Sequence, residues 1–208
     1  MSIRVVLADD HVVVRQALRA LLEREGLEVV GEAADGRAAA RQAIQLRPDI
    51  AVLDISMPLF NGLDAAREIL RSSLSTRVLV LTHHDETEYV AEALRCGVQG
   101  YVLKKQAANE LVRAIQQVHG GQIYLSPGVS GAIAAAYGDA RQPVALSVRE
   151  RQVLQLIAEG KSTRVMAGLM GVSVKTIESH RARLMGKLDI HEIAGLVRYA
   201  IRQGLIQP

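Results

Sequence analysis

The sequence predicts an α/β domain of five strand–helix units, followed by a smaller domain made of helices only. Over the first 120 residues, five short aliphatic runs alternate with helical patterns. Several runs are β-branched and nearly unbroken, as expected for parallel strands that are buried on both faces. After Pro143 the alternation stops, and only helical patterns follow. With 208 residues, of which 49% are apolar and 23% charged, the chain can form two small domains with buried cores.

The strand–helix units carry local signals in chain order. Apolar residues line one face of a first helix at 12–25. Asp35 can cap the second helix, and Pro48 follows the end of that helix. Residues 85–88 form a capping-box pattern before a helix at 86–95, and a last helix runs from about residue 106 to Gly120. The five predicted strands are Ile3–Ala8, Leu27–Ala33, Ile50–Leu53, Arg77–Thr82 and Val98–Leu103.

The composition changes after the α/β segment. Residues 121–143 are rich in Gly, Ser, Pro and small residues, which predicts a linker between a domain at 1–120 and a domain at 144–208. Part of that linker, 131–137, could form a short helix. The second domain is predicted to hold helices at about 147–159, 163–170, 174–187 and 192–203.

Charge and cysteine content restrict the classes of function. The second domain has 10 basic and 5 acidic residues, whereas residues 1–124 have 14 basic and 16 acidic ones, so a nucleic-acid partner is favoured for the second domain. The single cysteine, Cys96, excludes an internal disulfide and a thiolate zinc site. No apolar run approaches the roughly 18–20 residues of a membrane helix, and no signal peptide is evident. A cytoplasmic protein without membrane contact is therefore expected.

Polar residues at the carboxyl ends of the predicted strands indicate a site. Asp9 and Asp10 stand at the end of the first strand, and Asp54, Thr82 and Lys104 stand at the ends of the third, fourth and fifth. In a flavodoxin-like order, 2-1-3-4-5, the first and third strands are neighbours, so the three carboxylates would meet where such sheets bind ligands. Oxygen ligands of this kind favour Mg²⁺, and a carboxylate can attack phosphorus. The alternative is that these residues are unrelated helix caps.

The same residues carry a family resemblance. Over residues 1–120 the chain resembles the receiver domain of two-component response regulators in order and spacing, through Val6–His11, Leu53–Pro58 with Asn61–Gly62, Leu81–Thr82 and Gly100–Lys104. The resemblance implies that Asp54 accepts a phosphoryl group from a phosphohistidine of a sensor histidine kinase. It implies that Asp10 binds Mg²⁺ directly, that Asp9 helps through water, and that Asp54 and the main-chain carbonyl of Ser56 complete the protein ligands.

The resemblance also implies a switch. Thr82 would move towards the phosphoryl group, Tyr101 would turn inward, and Lys104 would contact the phosphoryl oxygens. Two histidines, His83 and His84, follow the switch threonine. They could take part in a metal or pH role together with His11, or they could be loop residues that tune access to the phosphorylated aspartate.

The second domain has the pattern of a helix-turn-helix. Ser147–Glu150 form a capping box, and Gly171 supplies the turn before a helix at 174–187. One side of that helix is apolar, and the other is polar and basic, which fits the major groove of DNA, with Glu178 able to accept from cytosine. The alternative is a solvated basic face. The candidate DNA-contacting residues are Lys175, Thr176, Glu178, Ser179, His180, Arg183 and Lys187.

This segment resembles the four-helix LuxR-type helix-turn-helix domain. The resemblance covers about 144–208 and depends on Leu146–Leu154, Ala158–Ser162 and Val172–Met185. It implies a recognition helix at 174–187, a last helix that pairs dimers on DNA, and RNA polymerase as a further partner. One departure is Val165, which stands where relatives usually have an acidic residue that completes the cap from Ser162. The loss of that acidic partner should cost about 1 kcal/mol or less.

Together the two resemblances imply a NarL-type response regulator, which is a transcription factor and not an enzyme. Whether the unphosphorylated receiver covers the recognition helix, or the chain is merely monomeric, stays open. One alternative is a regulator whose receiver is never phosphorylated. Another is a Mg²⁺-dependent phosphohydrolase that uses Asp54 as nucleophile. The chain has no substrate-covering insertion, and it has Ser56 where such enzymes place a general acid.

Overall fold

A computed structural model describes residues 2–72, 75–85, 87–127, 129, 146–203 and 205–206. The chain divides into two compact units, Met1–Gly138 and Asp139–Pro208, which are described separately. The short helix considered at 131–137 lies outside the described residues, and so does residue 86 of the predicted capping box at 85–88. Among the described residues, no helix is both long and apolar enough to cross a membrane.

The described part of the first unit contains a six-stranded parallel sheet in the order β2-β1-β3-β4-β5-β6. The predicted order 2-1-3-4-5 is therefore confirmed, with one further strand at the edge. Side chains alternate between the two faces of a strand, and both faces of β3 and β4 are buried. The strands are β1 Arg4–Ala8, β2 Glu28–Ala33, β3 Ile50–Asp54, β4 Arg77–Thr82, β5 Gly100–Leu103 and β6 Tyr124–Leu125.

The sixth strand occupies the start of the segment predicted as linker. Tyr124 and Leu125 pair in parallel with Gly100 and Tyr101. Ser126 is fully buried, and its hydroxyl accepts a hydrogen bond from the Leu103 amide at 3.2 Å and donates one to Glu110 at 2.5 Å. The sequence did not predict this strand, because two residues are too few to show a periodicity. Nor did it predict the hydrogen bonds of Ser126, because their partners lie far away in the chain.

Five helices follow the first five strands, and the cap predicted for the second is confirmed, since the Asp35 carboxylate accepts from the Ala38 amide at 2.8 Å. α1 and α5 pack on one face of the sheet, where Leu22 and Leu111 are fully buried in a shared core. A 3₁₀ turn at Lys104–Gln106 precedes α5. The helices are α1 Val12–Arg24, α2 Gly36–Leu46, α3 Gly62–Ser72, α4 Thr87–Arg95 and α5 Ala107–His119.

Helices alone make up the described part of the second unit. The capping box is confirmed at its start, because Ser147 and Glu150 each bond to the other's main-chain amide. The Ser162 hydroxyl still accepts from the Val165 amide, so only the acidic partner of that cap is missing. Gly171 has φ 65°, which favours glycine, and ends the helix before the turn. The helices are α6 Val148–Ala158, α7 Thr163–Met170, α8 Val174–Leu188 and α9 Ile193–Arg202.

Candidate acidic site and candidate nucleic-acid interface

The predicted carboxylates meet at one edge of the sheet. β1 and β3 are neighbours, so the chain places Asp9, Asp10 and Asp54 together at the strands' carboxyl ends. One potential ligand atom from each of these residues, and one from His11, lie within 4.8 Å of one another. Asp9 and Asp54 are each only 1% exposed, whereas the Asp10 side chain is 30% exposed and reaches solvent. The cluster therefore has a closed side and an open side.

Lys104 closes the buried side of the cluster. Its ammonium lies 2.7 Å from Asp9 Oδ2 and 2.7 Å from Asp54 Oδ2, and its side chain is 6% exposed. Burial raises the pKa of the Asp54 carboxyl, although the charge of Lys104 opposes that shift. Burial alone would lower the pKa of Lys104, but Asp54 and Asp9 outweigh it and raise that pKa. The single ammonium of Lys104 does not balance the three carboxylates of the cluster.

The donor set of this cluster fits a hard divalent cation. Three carboxylates with one lysine retain a net negative charge, and Mg²⁺ prefers oxygen ligands with room for several waters. The Ser56 amide donates to Asp54 Oδ1 at 3.3 Å, so the loop after β3 folds back over the carboxylate. Gly62 lets the loop close, since a Cβ there would meet the main-chain oxygen of Asp54 at 2.0 Å. The geometry accordingly places Ser56 beside the cluster.

The two predicted switch residues are fully buried and bonded to the same loop. Thr82 Oγ1 accepts a hydrogen bond from the His84 amide at 3.2 Å, and the Tyr101 hydroxyl donates to the His84 carbonyl at 2.8 Å. The ring of Tyr101 lies inside in this structure, where the carbonyl of His84 is the partner of its buried hydroxyl. The turn of Tyr101 on phosphorylation stays a prediction.

Only one of the two histidines that follow Thr82 faces the site. His83 is exposed, while His84 Nε2 lies 3.1 Å from the Ser56 hydroxyl and its ring lies 4.3 Å from the Tyr89 ring. The sequence pattern did not distinguish them, because adjacent loop residues have no periodicity that assigns them to one side. Lys105, next to Lys104, is instead 63% exposed and pairs with Asp85.

Most of the predicted DNA-contacting residues line one shallow cavity on the recognition-helix candidate α8. The cavity has a volume of about 270 Å³ and is lined by polar and basic side chains. Glu178 is exposed on α8 but does not line it. A concave basic surface of this kind suits a phosphate or a base edge of DNA. Its lining residues are Ser173, Lys175, Thr176, Ser179, His180 and Arg183.

Lys187 differs from the other predicted contacts. Its ammonium lies 2.7 Å from Glu150 Oε2, and Glu150 is 4% exposed. Burial alone would raise the pKa of Glu150, but hydrogen bonds from Lys187 and Ser147 outweigh it and lower that pKa. The interaction joins α8 to the first turn of α6, so Lys187 is engaged within the unit. Helix periodicity placed Lys187 on the polar face but carried no signal for a partner 37 residues away.

Comparisons with known proteins agree with both halves of this geometry. The family model of the response regulator receiver domain matches residues 5–116, and that of the bacterial regulatory proteins of the luxR family matches residues 144–200. The chain is 38% identical to the transcriptional regulatory protein MctR of Rhizobium johnstonii, over 99% of this chain and 96% of that protein. It is 35% identical to the oxygen regulatory protein NreC of Staphylococcus carnosus, over 98% and 99%.

A solved structure supports the same likeness over both units. The two-component response regulator RcsB in a complex with DNA is 28% identical, with a TM-score of 0.60, and the match covers 98% of this chain and 99% of that one. The match therefore extends over the residues of both the α/β unit and the helical unit.

Proposed function

The chain belongs to the two-component response regulators that join a receiver domain to a LuxR-family DNA-binding domain, and on that basis we propose that phosphorylation of Asp54 switches its binding to DNA. The family consists of transcription regulators rather than enzymes. The observation that carries the proposal is the position of Asp54, which is buried among carboxylates and lies 2.7 Å from Lys104. A cytoplasmic location goes with this role.

The phosphoryl transfer needs a nucleophile and neutralised charge. An Asp54 oxygen forms the new bond to phosphorus as the bond between phosphorus and the imidazole nitrogen of a sensor histidine kinase breaks, and the imidazole keeps that electron pair. Lys104 then turns from Asp54 to a phosphoryl oxygen. Asp10, Asp54 and the Ser56 carbonyl would hold Mg²⁺ directly, and Asp9 would act on it through water. The ion would supply the remaining charge neutralisation.

The signal leaves the site through the loop at His84. Thr82 gives up its bond to the His84 amide when its hydroxyl moves to the phosphoryl group. Because Tyr101 is bonded to the carbonyl of the same residue, the loop and the start of α4 change together. The changed surface favours a homodimer, in which α9 pairs with its copy and each α8 enters a major groove of a two-fold site. RNA polymerase is the further partner of the DNA-bound dimer.

Intact mass after incubation with acetyl phosphate and Mg²⁺ tests the phosphoacceptor. We expect the wild type to gain one phosphoryl group and Asp54→Ala to gain none, because the variant lacks the only proposed nucleophile. Asp85→Ala, which removes an exposed carboxylate paired with Lys105, is the matched control and should gain the group. A gain by Asp54→Ala would disprove the assignment of the nucleophile. No gain by the wild type would favour a regulator that works without phosphorylation.

Substitutions on α8 test the DNA interface. We expect Arg183→Ala to weaken binding to a duplex selected from a random-sequence pool by about 1–3 kcal/mol, because a contact with a phosphate or base edge is lost. If that contact is to a phosphate, the slope of log affinity against log salt should shrink by about one.

Lys187→Met is the contrasting variant, because Lys187 is engaged with Glu150 within the unit. The fluorescence anisotropy of labelled duplex, measured over a salt series, checks both results. An unchanged salt slope in Lys187→Met is expected. Equal losses of slope in the two variants would mean that Lys187 also faces DNA.

A further inference from the structure

His11 has an unusual place for a helix-capping residue. It is the N-cap of α1, yet its side chain makes no capping hydrogen bond. The imidazole is directed to the acidic cluster instead, with Nδ1 lying 2.8 Å from Asp10 Oδ1 and 3.4 Å from Asp9 Oδ1. The His11 amide fixes this arrangement by donating to Asp9 Oδ1 at 2.9 Å. A nitrogen donor therefore stands on the open side of the carboxylates.

We propose that His11 Nδ1 is a ligand of the cation site and gives it a preference for a divalent first-row transition ion over Mg²⁺. The inference rests on the proposed cation site and names one further ligand of it. Imidazole nitrogen suits first-row transition ions better than it suits Mg²⁺, whereas carboxylate oxygens suit Mg²⁺ and Mn²⁺ alike. A site with carboxylates and one imidazole should therefore bind a first-row transition ion more tightly than it binds Mg²⁺.

The separation of the His11 and Asp10 ligand atoms fits two adjacent ligands of one octahedral ion. Two adjacent ligands at bonds of about 2.1 Å are about 3 Å apart. The separation of His11 Nδ1 from Asp10 Oδ1, 2.8 Å, is close to that value. Lys104 occupies the opposite side, at 2.7 Å from Asp9 Oδ2 and Asp54 Oδ2. The open side, where His11 and Asp10 reach solvent, is where an ion and its waters would enter.

A second explanation of the same contacts is a protonated His11 that pairs with Asp10. The His11 side chain is 58% exposed, and exposed ion pairs contribute little to stability. That explanation predicts no bond between His11 and a metal ion. The two can be separated by observing the bound ion itself.

The experiment uses the full chain and Mn²⁺ as the probe, at about pH 8. The variants are His11→Asn, Asp10→Asn and His119→Asn, the last of which removes an exposed histidine at the end of α5. Electron paramagnetic resonance of the free ion measures Mn²⁺ affinity, competition measures Mg²⁺ affinity, and electron spin-echo modulation detects a nitrogen bound directly to Mn²⁺.

We expect directly bound ¹⁴N in the wild type and in His119→Asn, and none in His11→Asn. In that variant the affinity for Mn²⁺ should fall about tenfold, and that for Mg²⁺ less than about twofold. Absence of ¹⁴N coupling in the wild type, or equal losses for both ions, would overturn the ligand assignment. If Asp10→Asn loses its affinity for Mn²⁺ while His11→Asn keeps the wild-type affinity, the assignment of His11 as a ligand is also overturned. The proposed cation site is then still supported. If Asp10→Asn binds Mn²⁺ and Mg²⁺ as tightly as the wild type does, the proposed cation site is itself disproved.

Discussion

Replacing Lys104 with methionine is expected to raise the affinity of the acidic cluster for Mg²⁺ while it abolishes the response to phosphorylation. The lysine ammonium lies 2.7 Å from both Asp9 and Asp54, so it repels an arriving cation and occupies two of the carboxylate oxygens. Two unit charges about 4 Å apart repel by about 4 kcal/mol at an effective dielectric of 20. An increase in Mg²⁺ affinity of at least about tenfold, or 1.4 kcal/mol, is therefore expected.

Loss of the response has a separate cause. Lys104 is the cation that contacts both Asp9 and Asp54 in the described structure, so without it phosphorylation should no longer change DNA affinity. Burial raises the pKa of Asp54, and the charge of Lys104 opposes that shift, so removing Lys104 should raise this pKa further. The Mg²⁺ titration is therefore carried out at about pH 8, so that Asp54 is ionised in both proteins. Isothermal titration calorimetry measures the affinity, and a DNA-binding assay with and without acetyl phosphate measures the response.

Lys105→Met is the matched control for Lys104→Met. Lys105 is the adjacent residue, carries the same charge, and is paired with Asp85 away from the cluster. This variant should keep the wild-type affinity for Mg²⁺ and the response to acetyl phosphate. If Lys104→Met binds Mg²⁺ more weakly than Lys105→Met does, the lysine supports the cation site instead of competing with it.

Replacing Glu150 with alanine is expected to reduce the free energy of unfolding of the helical unit by about 2–3 kcal/mol. The buried carboxylate accepts from the Ser147 amide at 2.9 Å and lies 2.7 Å from the Lys187 ammonium. Loss of the capping bond costs about 1 kcal/mol. The ion pair adds about 1–2 kcal/mol, less than a fully buried pair, because the Lys187 side chain is 42% exposed and regains water.

The same contribution should depend on pH in a defined direction. The pKa of Glu150 is lowered in the folded unit, so the stabilisation is present above the ordinary glutamate pKa, about 4.3. It is lost as the pH falls from there through the lower folded-state pKa. The difference in stability between the wild type and Glu150→Gln should therefore shrink on acidification below about pH 4.

Native-state hydrogen exchange at core amides of α6 and α8 measures these effects, since a chain of two units need not unfold in one transition. Glu192→Ala is the control, because Glu192 is exposed and its side chain does not cap α9. Its effect should stay within about 0.5 kcal/mol. A loss in Glu150→Ala no larger than the loss in Glu192→Ala would show that the pair with Lys187 contributes nothing measurable.

Local patterns in the sequence were sufficient for most of the fold. Aliphatic runs and helical periodicity predicted the first five strands, their order was taken from the flavodoxin-like fold and is confirmed, and Asp35 and the Ser147–Glu150 capping box were predicted where they occur. Polar residues at strand ends indicated the acidic cluster, because parallel strands bring their carboxyl ends to one edge. These features succeed because each is carried by residues close in the chain or by the repeat of a regular element.

Tertiary structure alone decided the features that depend on contacts between distant residues. Ser126, directly after β6, is bonded to Leu103 and Glu110, and Lys187 is paired with Glu150. His84 rather than His83 faces Ser56, which no periodicity could assign. A hydrophobic pattern indicates which side of a helix or strand is buried. It does not indicate which charged or hydroxyl groups of distant residues contact that element. The chain itself therefore determined the elements, their order and their chemistry, and packing determined which polar groups became partners.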